Sequence, residues 1–92
     1  MQQSEVSKQV FIKNELGLHA RPAAQLAQEA AKFHSSIKLV LDDTEVDAKS
    51  VLDILTLAAA KGRLLTLQAE GEDAEEAVSH LERIFREGFG EK

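Results

Sequence analysis

Along the chain the apolar positions change period several times, and each change predicts an element. Between residues 6 and 13, Val6, Val10 and Ile12 share one parity while Ser7, Gln9 and Lys13 share the other. This is the alternation of a half-buried strand, broken only by Phe11. The segment NELGLH carries Gly17, a turn residue, and ARPAAQLAQEAAKF then places Ala23, Leu26, Ala27, Ala30 and Phe33 at helical spacing. A helix over residues 20–33 follows. Pro22 suits its first turn, the one part of a helix where a missing N–H costs nothing.

Period two returns over residues 36–41, with Ile37, Leu39 and Leu41 set against Lys38, and Asp42-Asp43-Thr44 turns the chain into a partner strand at Glu45-Val46-Asp47. Ser50-Val51-Leu52-Asp53 has the form of a capping box and predicts a helix over residues 51–59, closed by Lys61-Gly62. LLTLQA, residues 64–69, is a further strand, and Glu70-Gly71-Glu72 a turn. Asp73 with Glu76 makes a second capping box for a helix whose stripe is Ala77, Val78, Leu81, Ile84 and Phe85, ending near Glu87. The closing GFGEK reads as a loose tail. The order β-α-β-β-α-β-α predicts an α+β fold, an antiparallel sheet with helices on one face and Lys13, Lys38 and Gln68 on the solvated other.

Length and composition narrow the class. Ninety-two residues predict one domain, 1–92, and 43% apolar with 29% charged residues is an ordinary folding composition. The absence of cysteine excludes disulfides, thiolate metal sites and a sulfur nucleophile. Apolar runs of a few residues and the polar start MQQSEVSKQ predict a cytoplasmic protein with neither a membrane span nor a signal peptide. The net charge of −5 divides unevenly: residues 1–40 hold five Lys/Arg and three Asp/Glu, residues 41–92 six and thirteen, so the halves carry +2 and −7. With no basic stripe and four aromatics, all Phe, nucleic acid is not an expected partner.

Candidate chemistry concentrates at Gly17-Leu18-His19-Ala20-Arg21-Pro22. The first amides of a helix have no internal partner, and their partial positive charge attracts anions. A histidine at that helix edge with an arginine two residues on forms a cluster that would neutralise a phosphoryl group carried on the imidazole. His34 and His80 stand without partners at metal-ligand spacing and read as surface or boundary residues. There is no GxxxxGK phosphate loop, so no nucleotide, and no other cofactor or metal, is expected to bind.

GLHARPAAQL resembles the phosphorylation-site segment of the HPr family, the histidine phosphocarriers of the sugar phosphotransferase system. KSVLDILTLAAAKG, residues 49–62, is similar to that family's regulatory-serine segment, and the likeness runs in register from about Val10 to Leu81. The resemblance implies an open-faced β-sandwich, four antiparallel strands with three helices on one face. It implies that His19 accepts a phosphoryl group at Nδ1 from phosphorylated enzyme I and passes it to the A domain of an enzyme II sugar permease. Imidazole suits this, since a reference pKa of ~6.5 leaves it mostly neutral and nucleophilic at cytoplasmic pH. Arg21 and the amides of Ala20 and Arg21 would hold the phosphoryl oxygens. Ser50 matches the serine that an ATP-dependent kinase phosphorylates in many members, although Asp53 stands where the family often has glycine. Val51, Leu52 and Leu55 match a docking patch, with Ile54 and Leu57 turned inward and Glu15, Lys49 and Lys61 along its rim.

The expected protein is thus a monomeric cytoplasmic phosphocarrier, a stoichiometric carrier more than a free-standing enzyme. One rival is a regulatory module of the same fold acting through Ser50 or the Leu52/Leu55 patch. Another is a small ester hydrolase with His19 as general base, for which no second acid or base is in place.

Overall fold

The computed structural model describes residues 5–91. Its elements are β1 (Glu5–Phe11), α1 (Ala20–Ala30), β2 (Ser36–Leu41), β3 (Thr44–Asp47), α2 (Val51–Thr56), β4 (Leu64–Glu70) and α3 (Ala74–Arg86), followed by a 3₁₀ turn, Gly88–Gly90. The strands form one antiparallel sheet in the order β1-β4-β2-β3, with pairs such as Val10↔Leu65, Leu39↔Leu67 and Leu39↔Val46. This is the expected α+β sandwich. β4 lies between β1 and β2, so its inward Leu65 and Leu67 are wholly buried beneath the helices.

Phe11 breaks the alternation because it points to the open face. There it lies 57% exposed beside its cross-strand partner Leu64, while Val10 and Ile12 face the core. β1 stops at Phe11, so Lys13 lies beyond the strand, exposed, and not on the sheet.

Both shorter helices end earlier than their periodicity predicts, and in each case a tertiary contact takes the chain away. α1 gives way after Ala30 to bonds from Lys32 N to Glu29 O and from Phe33 N to Ala30 O, the tighter spacing of a last turn. The amides of His34 and Ser35 then donate to the Asp73 carboxylate at 2.8 and 2.9 Å, joined by the Ser35 hydroxyl. Asp73 therefore makes no side-chain cap on α3, contrary to the expected capping box. The Ser35 hydroxyl first, and then the His34 amide, hold its carboxyl down at about 2.

α2 closes at Leu57, and Ala58 turns left-handed at φ +48°. That turn presents the Ala59 carbonyl to Leu18 N at 2.9 Å and brings it against Gly17. A Cβ at residue 17 would overlap that oxygen, and φ is +67°, so only glycine fits. In this way the end of α2 fixes the loop that leads into α1.

The C-terminal segment is not a loose tail among the described residues. Phe89 is buried and meets Phe85 edge-on, with centroids 4.9 Å apart, which folds Gly88–Gly90 back onto the body of the protein. Lys92 lies outside the described residues.

Candidate functional site

His19 is the N-cap of α1, in extended conformation (φ −76°, ψ −172°), and its carbonyl accepts the first helical bond from Ala23 N at 2.9 Å. Its side chain makes no capping bond, so the imidazole is not used to satisfy the helix. Because residue 22 is proline, two N–H groups, those of Ala20 and Arg21, stand at the helix end ahead of Ala23. No acidic residue occupies this first turn. Arg21 is exposed and forms no ion pair among the described residues. The structure thus brings His19, Arg21 and both amides together at one positive helix end.

The unforeseen member of the site is Glu91. Its two carboxylate oxygens lie 3.1 and 3.2 Å from His19 Nε2. Asn14 Nδ2 donates to the same carboxylate at 3.0 Å and to Gly17 O at 2.6 Å. Partial burial pushes the Glu91 carboxyl up. The hydrogen bonds from His19 and Asn14, with the charges of His19 and Arg21, outweigh this and hold it below the ordinary value. An ionised carboxylate only accepts, so Nε2 carries the proton of this bond, and whenever the ring is neutral its lone pair is on Nδ1. The His19 side chain as a whole is 34% exposed.

Sequence reasoning missed Asn14 and Glu91 because nothing local marks them: they are 77 positions apart and meet only through the folding of the C-terminal turn. Asn14, set between the charged Lys13 and Glu15, carries no sign of its burial. Glu91 had no signal beyond Phe89, an aromatic too large to be left in an exposed tail.

Ser50 caps α2 as expected, its Oγ accepting from Asp53 N at 3.2 Å. The other arm of the expected box is absent: the Asp53 carboxylate accepts from Asp47 N, while Ser50 N donates to Asp47 O. Along α2, Leu52 is 77% exposed and Leu55 is exposed, whereas Ile54 and Leu57 are buried. Val51 is half-buried against the core. Leu16, in the loop before His19, is 75% exposed and was read only as part of a turn.

Glu15 and Lys61 pair at 2.7 Å, and Lys61 lowers the Glu15 carboxyl through that bond. Lys49 is no free rim charge, because its Nζ donates to Phe33 O at 2.8 Å and ties α2's approach to the end of α1. His34 is exposed. His80 is half-buried and binds Glu29 at 2.6 Å, beside Phe33. A surface groove lined by Lys38, Glu45, Asp47, Lys49 and Asp53 contains none of the groups around His19. No helix among the described residues is long and apolar enough to cross a membrane.

An α+β sandwich that holds a part-exposed imidazole at a positive helix end, outside that groove, suits the passing of a small anion between protein partners. The chain belongs to the HPr family: residues 6–87 match the family described as the PTS HPr component phosphorylation site. It is 48% identical over 79 residues to the phosphocarrier protein HPr of Buchnera aphidicola subsp. Acyrthosiphon pisum, covering 86% of this chain and 93% of that one. Identity to the Treponema pallidum phosphocarrier protein HPr is 44%, covering 95% and 99% of the two chains. Among solved structures, that of HPr-C-His from Thermoanaerobacter tengcongensis matches with a TM-score of 0.88 and 44% identity over 97% of this chain and 98% of that one. The protein is accordingly a phosphocarrier of the phosphotransferase system, and its family implies partners within that system, enzyme I and enzyme II.

Proposed function

We propose that Nδ1 of His19 is the atom that carries the phosphoryl group. Its lone pair attacks the phosphorus held on phosphorylated enzyme I, the Nδ1–P bond forms, and the donor's N–P bond breaks with its electron pair returning to the donor nitrogen. The Nε2 proton stays in place. In the second half-reaction an acceptor nitrogen on an enzyme II A domain attacks the same phosphorus, and His19 leaves as neutral imidazole. Arg21 and the amides of Ala20 and Arg21 neutralise the charge spread over the phosphoryl oxygens.

The observation that carries this reading is the pairing of Nε2 with an ionised Glu91, which leaves Nδ1 as the nucleophile at the start of a helix whose first turn contains no acidic residue. Leu52, Leu55 and the exposed part of Val51 supply an apolar docking patch on α2, which packs against α1. The 92 residues act as one monomeric unit in the cytoplasm. Ser50 is a regulatory site for a serine kinase, with Asp53 weakening that use by placing a carboxylate in the same first turn.

Incubation with phosphoenolpyruvate and enzyme I should load one acid-labile, alkali-stable phosphoryl group, and His19→Ala should abolish it. Loading that survives His19→Ala would refute the assignment. Should wild type take no label while an ATP-dependent kinase phosphorylates Ser50, the rival regulatory module would replace it.

A further inference from the structure

Asn14 is buried to 1% exposure, and its Oδ1 has no hydrogen-bond partner, the one such buried side-chain atom among the described residues. An orphaned buried acceptor is destabilising, and an aliphatic residue at position 14 would avoid it. What asparagine adds is its amide N–H pair, spent on Gly17 O and on Glu91. Gly17 O belongs to the loop that delivers His19, and Glu91 is the carboxylate on His19 Nε2. Behind it, the Phe89–Phe85 contact anchors the turn that carries Glu91. One buried amide therefore joins the entry loop, the C-terminal turn and the reacting ring.

We infer that Asn14 and Glu91 are positioning residues of the phosphoryl transfer: Asn14 holds the Glu91 carboxylate on Nε2, and that carboxylate keeps the proton on the phosphorylated ring. This rests on the assignment of Nδ1 as the acceptor. When Nδ1 bonds to phosphorus the ring becomes a cation still protonated at Nε2, and the carboxylate 3.1 Å away stabilises that charge. The protonated ring is the transfer-competent form, because it departs as neutral imidazole, whereas a ring stripped of the Nε2 proton would have to depart as imidazolate. Asn14 and Glu91 thus act in both half-reactions without touching the phosphoryl group.

Glu91→Gln keeps the size of the side chain and one acceptor oxygen and removes its charge. With phosphoenolpyruvate, enzyme I and an enzyme II A domain, onward transfer by this variant at pH 8 should slow roughly three- to tenfold, the scale of one partly exposed charge-assisted bond. Its alkaline limb should move to lower pH by about half a unit, a shift that a merely structural role would not produce. Asn14→Ala, which retains Glu91, should move rate and pH limb in the same direction by less. Wild-type rates and an unmoved pH limb in Glu91→Gln would overturn the inference, and wild-type behaviour in Asn14→Ala would remove Asn14 from it. Failure of the wild-type protein to accept any phosphoryl group would instead refute the acceptor assignment itself.

Discussion

Two helix N-termini in this protein carry side chains that can bear phosphate, and they are built in opposite ways. At α2 the Ser50 hydroxyl is already used, bound to Asp53 N, and Asp53 adds a carboxylate to the first turn. At α1 the His19 ring caps nothing, Pro22 removes one amide from the count, and the first turn itself contains no acid, the nearby Glu91 carboxylate being bound to the His19 ring. α2 is six residues long and α1 eleven, so the second also has the fuller set of aligned peptide dipoles. The contrast teaches that an N-cap can serve as a structural clasp or as a seat for an anion, and that the two uses compete for the same amides. By this measure α1 is the seat and α2 the clasp.

The largest effect that would sharpen the contrast is at Arg21. Arg21→Ala should slow phosphoryl transfer by roughly ten- to a thousandfold, the scale of one lost oxyanion donor, with an unchanged urea midpoint because the side chain is exposed. Transfer at wild-type rate in a single-turnover assay would take Arg21 out of the seat. Ser50→Ala should do the reverse, costing about 1 kcal/mol of stability by urea denaturation through the lost cap while leaving transfer unaltered. A slowed transfer with full stability would break the distinction between clasp and seat. Asp53→Gly should make Ser50 a better kinase substrate by removing the competing carboxylate, which phosphorylation by a serine kinase can measure.

The smallest effect concerns the far end of α1, which Asp73 holds through Ser35 and His34. Its carboxyl is held at about 2 against an ordinary 3.8, so between those values the unfolded chain binds more protons than the folded one. The stabilisation is therefore present above 3.8 and is lost as pH falls toward about 2. Asp73→Asn should remove that part of the acid dependence in urea titrations. An identical pH profile in the variant would show that the clamp does not contribute.

Much of this was legible from sequence because it is local. The β2 alternation and the Ser50 cap are recorded in neighbouring residues, and two spaced motifs marked His19 and Ser50. Less legible were the features decided by distant partners. α1 was expected to reach Phe33, but Asp73 draws off the amides at its end, and the same use prevents Asp73 from capping α3. Lys49 looked like a rim charge until the carbonyl it bonds came from Phe33. Glu91 seemed to lie in a tail, since no periodicity shows that Phe89 finds a place against Phe85. Local pattern marks His19, the proposed nucleophile, while the carboxylate proposed to select its reacting nitrogen comes from the other end of the chain.

The central claim is that Nδ1 of His19 bears phosphorus while Nε2 keeps its proton against Glu91. Uniformly ¹⁵N-labelled protein, phosphorylated with enzyme I and phosphoenolpyruvate, reports this through ³¹P–¹⁵N coupling and the ring ¹⁵N shifts. The account predicts phosphorus coupled to Nδ1 of His19 with a protonated Nε2. Coupling to Nε2, or phosphorus on any other residue, would contradict it.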